Sequence, residues 1–228
     1  MMPDALVLLR LLQLSDSALP TGSFSHSLGL EAVQAAGGLA GEVDLERAAC
    51  TYLGALATSD LVALRGAHGA CALGELLELD AELDATKLSA EARAASSAMG
   101  SRLLVAAQAL ALESPLLDAF GPAVHSGRSP GGLAVAHGSV MAVAGVTLGQ
   151  ALVAHAYTSL AALVAAGQKL IPLGQSAAQR VLANLAPAVL AAVERSERTA
   201  CDDMHAFAPG LEIRSMQHER QEVRLFIS

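Results

Sequence analysis

Few residues in this chain have the types and spacing that chemistry requires. Cys201 with His205, and His218 with Glu222 in the stretch HERQE, stand four positions apart, a spacing that puts two ligands on one face of a helix. Each pair supplies two ligands where a tight metal site needs three or four. The second pair nearly matches H-E-x-x-H, and it leaves one catalytic alternative, a metal-dependent hydrolase using His218, Glu219 and Glu222. His137 and His155 would lie about 27 Å apart on one unbroken helix, so they are not expected to share an ion. GRSPG at 127–131 matches G-x-S-x-G, but a nucleophile elbow needs a strand before it and a helix after it. Pro122, Pro130 and Gly132 occupy those places, so Ser129 is expected to be an ordinary loop residue. The only lysines, Lys87 and Lys169, are each followed by Leu and neither has a Ser three residues earlier, which removes the phosphate loop and the S-x-x-K nucleophile. Ser23, Ser25 and His26 have no positioned acid, and serines ahead of an apolar run read as helix caps.

The elements that would carry these residues are helical. Ala and Leu dominate the 228 residues, aromatics make up 3%, and there is no Trp. That balance favours helix and leaves little material for a sheet. The formal net charge of −8, with basic residues dispersed along the chain, disfavours nucleic acid as a partner. Acidity is concentrated in the N-terminal half, most densely at 75–84, which reads as a solvated helix end. Three unpaired cysteines fit a reduced compartment, and the N-terminus lacks the features of a signal peptide, so a cytoplasmic protein is expected.

Local signals divide the chain into about ten helices in one all-α domain. Helices are expected at about 4–14 and 25–36, then behind Asp44 and Asp60 as N-caps, behind Ser89 to about 112, and behind Ser114 with Pro115 at N1. Residues 129–168 contain no Asp, Glu, Lys or Arg, long enough to raise a membrane hairpin. Gly145 as a C′ residue and TLGQ at 147–150 as a capping box split this run into helices at 133–144 and 148–170, which favours a buried hairpin with no membrane role. Beyond IPLG at 171–174 a helical pattern continues to about 207, with Pro187 expected to kink or divide it. The stretch 122–132, rich in Gly and Pro, is the best candidate for a mobile loop.

Three segments remain: LQLSDSALPTGSFSHSLGLE at 12–31, KLIPLGQSAAQR at 169–180, and the tail PGLEIRSMQHERQEVRLFIS at 209–228. In order and near spacing they resemble the signature stretches of the urease accessory protein F (UreF) family. Residues 91–104, through Met99-Gly100, resemble that family's mid-chain helix. The resemblance implies an all-helical, typically dimeric protein with no catalytic residues and no cofactor of its own. Such a protein would assist nickel insertion into apo-urease, recruiting and regulating the GTPase UreG together with UreD (also called UreH). It would assign partner binding to Pro172, Leu173, Gly174, Gln175, Gln179 and Arg180, and in the tail to His218, Glu219, Arg224, Leu225 and Phe226. The chain departs from the family at Glu222-Val223, where Tyr-Ser is common, and 114–132 matches no family motif. The physical reading of the tail leaves two places for its apolar residues, the protein's own body or a partner.

Overall fold

The computed structural model describes residues 3–221 and 224–227, and contains helices and no strand among them. The twelve α-helices are α1 (Pro3–Leu14), α2 (Leu30–Ala35), α3 (Glu42–Leu56), α4 (Asp60–Gly69), α5 (Leu73–Thr86), α6 (Ala90–Ala109), α7 (Pro115–His125), α8 (Leu133–Val143), α9 (Leu148–Leu170), α10 (Gln175–Asn184), α11 (Ala186–Arg198) and α12 (Pro209–His218). Short 3-10 turns span Ser23–Ser25 and Cys201–Asp203.

At the centre is α8, where 134–141 are all buried between α4 and α6. A helix apolar on every side is a core helix, and its small residues let the neighbours close in. A Cβ on Gly138 would collide with the Leu64 carbonyl of α4, and one on Gly100 of α6 with the Gly131 carbonyl. Long α9 packs against α2, α3, α4, α8, α10 and α11. It is apolar and long enough to cross a membrane, yet here Leu152, Leu160, Leu163 and Val164 are buried in the core.

The capping signals at Ser89, Ser114 and Thr147 are realised: each side chain accepts from the amide three residues on, and Gln150 completes the capping box. Gly145 turns the hairpin at φ +80. Pro187 divides rather than kinks the last long pattern, since α10 and α11 meet at 41°.

Other expectations are corrected. The helix at 25–36 is broken by Leu28 (φ +55) and Gly29 (φ +85), leaving only Leu30–Ala35, because Gly29 abuts the backbone of α12 at Leu211 and Ser215. Asp44 and Asp60 lie inside their helices, with Gly41 and Ser59 at the N-caps. Asp44 still works at the helix start, accepting from the Ala40 amide at 3.0 Å. The helical pattern after 171 ends at Arg198, not near 207. The stretch 122–132 is not free: Pro122 lies within α7, and Asp80 accepts from the Ser129 hydroxyl and from the Gly131 and Gly132 amides at 2.6 and 2.8 Å. Asp80 itself is fully buried, whereas Glu75, Glu78 and Glu82 of the same acidic stretch are exposed.

Candidate functional site

The tail returns to the body at α2 and α6. His218, the last residue of α12, is buried, with Nδ1 2.7 Å from Glu91 Oε2 and Nε2 3.0 Å from Glu31 Oε2. Both ring nitrogens of His218 are therefore taken up by carboxylates of the protein's own body. Glu31 also accepts from the amides of Leu225 at 2.6 Å and Phe226 at 3.1 Å. Burial pushes its carboxyl upward, but these two amides and His218 outweigh that and hold it below the ordinary range. Arg224 binds the other oxygen of Glu91 at 2.7 Å and the Glu219 carbonyl at 3.0 Å, and the Ile227 amide donates to Ser25 at 2.9 Å. Glu219 accepts from the Ala90 amide at 3.1 Å, at the first residue of α6. Phe226 is 5% exposed, with the Lys169 ammonium 5.1 Å from its ring centre. Leu225 and Ile227, at 63% and 69%, face outward.

This geometry divides the apolar end of the tail. Phe226 docks on the protein's own body, while Leu225 remains on the surface. The residues Glu31, Glu91, Lys169 and His218 come from four separated stretches, and the fold gathers them into one clasp. Glu222, the third member of the hydrolase alternative, lies outside the described residues, and α12 ends at His218.

The second surface is the entry to α10. Pro172, Gly174, Gln175, Gln179 and Arg180 are exposed and Leu173 is half-buried against the core. Gly174 takes the N-cap position without a side-chain cap, leaving the first amides of α10 to solvent. Arg180 reaches Glu42 of α3 at 3.0 Å, an exposed pair.

Two other pairings differ from their sequence reading. Cys201 and His205 do not share a helix face, because Cys201–Asp203 is a single 3-10 turn and His205 Nδ1 faces the Asp203 carbonyl at 2.8 Å. His137 and His155 do meet: the turn at Gly145 folds α8 back on α9 and brings their Nδ1 atoms to 2.9 Å. Distance along one helix was the wrong measure for residues on two antiparallel ones. Burial pushes both rings well below the ordinary histidine value; His137 is lowered further by His155, and Lys87 lowers His155 against an opposing pull from Asp60. Asp60 is held down against burial by Lys87, at 2.8 Å from both its oxygens. Among the described residues no group of three or more His, Cys, Asp or Glu could hold a metal ion.

A model of the UreF family matches residues 39–186. Urease accessory protein UreF of Arthrobacter sp. (strain FB24) is 40% identical over 96% of both chains. The chain belongs to the UreF family. UreF proteins of Paenarthrobacter aurescens (strain TC1), 39% identical over 96% of this chain and 97% of its own, and of Bacillus sp. (strain TB-90), 32% identical over 97% and 99%, are similarly full-length matches. The family match covers α3 to the first residue of α11, with the entry to α10 inside it, whereas Glu31, His218 and Arg224 of the clasp stand outside that span. Of the UreF clasp, sequence reasoning singled out His218, Arg224 and Phe226 but missed Glu31 and Glu91. Both stood in stretches already matched to the family, Glu31 closing the first and Glu91 opening the mid-chain helix. Their role shows only when those stretches are seen to meet.

Proposed function

We propose that this UreF-family chain is a non-catalytic scaffold in urease maturation. It assists nickel insertion into apo-urease by holding the GTPase UreG, together with UreD/UreH, and regulating it, in the cytoplasm and as a homodimer. The observation that carries this reading is the pairing of an exposed polar helix entry, with Gln175, Gln179 and Arg180 beside uncapped amides, and a tail folded so that Leu225 and Ile227 face solvent. The first offers hydrogen-bonding groups and the second an apolar anchor, the combination that protein partners use.

Roles within the tail differ by what each residue touches. Leu225 is exposed and available for direct contact, whereas His218 and Phe226, which are buried, and Glu219 and Arg224, which are exposed but bonded to the start of α6, serve a partner by holding the clasp in shape. For the homodimer, the surface that fits best is the set of exposed apolar residues Leu6, Leu8, Leu9 and Leu12 on α1 with Val153 and Tyr157 on α9.

Copurification with tagged UreG and UreD, and urease activation in a reconstituted system, test the reading. Replacing Gln175, Gln179 or Arg180 by Ala is expected to weaken assembly while leaving the melting temperature within a few degrees, since exposed polar residues contribute at most about 0.5 kcal/mol. Normal assembly with all three variants would remove the α10 entry from the interface.

A further inference from the structure

The tail is fastened through one ring and two carboxylates. His218 is fully buried, with Nδ1 2.7 Å from Glu91 Oε2 and Nε2 3.0 Å from Glu31 Oε2. A neutral imidazole carries one N–H and one bare nitrogen. Whichever nitrogen were bare, its lone pair would face a carboxylate oxygen at hydrogen-bond distance, a contact that repels. Neither carboxylate supplies the missing hydrogen, since Glu31 is held below its ordinary range and Glu91 gives its other oxygen to Arg224 at 2.7 Å. Only the doubly protonated ring satisfies both contacts.

The charges around the ring agree with this. α12 packs against α2 and α6, which bring Glu31 and Glu91, and the tail adds Arg224. A charged His218 makes this group neutral, whereas a neutral ring leaves it with a net negative charge. Of the other charged groups, Arg214 on α12 turns to Gln217 at 2.8 Å, Arg93 of α6 to the carbonyls of Lys87 and Leu88, and Glu219 to the Ala90 amide. His26 feels both Glu91 and Arg102, and burial and then Arg102 make it harder to protonate. Lys169 of α9 lies over the Phe226 ring. The fastenings of the tail run through the same two carboxylates, the Leu225 and Phe226 amides on Glu31 and Arg224 on Glu91.

We propose that His218 is a proton-operated latch for the C-terminal tail: the charged ring bridges Glu31 and Glu91 and keeps Phe226 seated, and loss of one ring proton to solvent releases residues 224–227. The closed form withholds Phe226, and the open form adds it to Leu225 and Ile227, which already face outward. The latch contributes at low pH and is lost as the pH rises through the titration of the ring, opposite in sign to Glu31 itself. It is a property of the chain alone and does not rest on the maturation role.

The test is a pH titration of the whole chain, labelled with ¹⁵N-histidine and 4-fluorophenylalanine and followed by NMR from pH 6 to pH 10. The His218 ring is expected to lose a proton and the Phe226 fluorine to move to a solvent-exposed position with the same midpoint, while that of Phe120, buried in α7, stays in place. In Glu91→Gln the new amide can donate to the bare Nδ1 of a neutral ring while its oxygen still accepts from Arg224, so Phe226 should remain seated throughout. A His218 ring already neutral at pH 6, one still charged at pH 10, or one that turns neutral with Phe226 seated in the unaltered chain would each overturn the proposal. Release that persists in folded Glu91→Gln would assign the titration to another group, such as Lys169, and overturn it equally. Should that variant fail to fold, coincidence or separation of the two midpoints in the unaltered chain decides the matter.

Discussion

At the scale of single residues, the molecule's buried charges and its buried neutral bases respond to acid in the same direction. Glu31 has a folded pKa below its ordinary 4.5, so its contribution is fully present above that value and is lost as the pH falls through the lowered one. The histidine pair acts earlier. Each ring binds a proton in the unfolded chain near 6.5 but resists it when folded, so stability declines once the pH drops below 6.5. The slope approaches about 1.4 kcal/mol per pH unit for each histidine. Denaturant unfolding at pH 7.5, 6 and 5 is expected to show this loss, and a His137→Gln/His155→Gln variant to show a flatter profile; parallel profiles would mean that the rings are charged in the fold. Glu31→Gln is expected to cost about 3 kcal/mol, because it removes the carboxylate that joins His218 to two tail amides. Faster amide exchange at Leu225 and Phe226 would report the same loss locally.

Among elements, what was legible in the sequence was what is decided locally. Ser89, Ser114 and Thr147 begin helices through their own side chains, and Gly145 and Pro187 act on their own backbone. What was not legible depends on neighbours far along the chain. Nothing near Leu28 announces that the helix will break there, since the break belongs to the approach of α12 to Gly29. The Gly and Pro content of 122–132 says mobile loop, and only the arrival of Asp80 from α5 fixes it. Glycine contacts between elements give a paired expectation. Gly138→Ala should cost about 1–3 kcal/mol, because the new methyl has no room against α4. Gly149→Ala, in α9 with open space around it, should be neutral or stabilise by up to about 1 kcal/mol. Melting temperatures of the two variants test both; equal effects would show that the α4–α8 contact is not close.

For the whole molecule, the clasp separates two jobs that the sequence reading had assigned to one tail. Removing 224–228 is expected to abolish urease activation in reconstitution. It should also lower stability by roughly 2–4 kcal/mol, since Phe226 leaves the core and Glu31 loses its amides. A truncated chain of unchanged stability would mean that the tail rests on the surface without holding it. Loss of stability with full activation would make the tail purely structural. The clasp also has a kinetic meaning. Glu31 and the Leu225 amide are 194 positions apart, so closing that contact carries a loop-closure cost that is lowered once the intervening helices have packed, and late formation is expected. A contact formed that late is absent from the folding barrier, and weakening it alters escape from the native state rather than arrival. Stopped-flow measurements on Glu31→Gln are therefore expected to show faster unfolding and an almost unaltered folding rate, so that the clasp sets the lifetime of the folded protein.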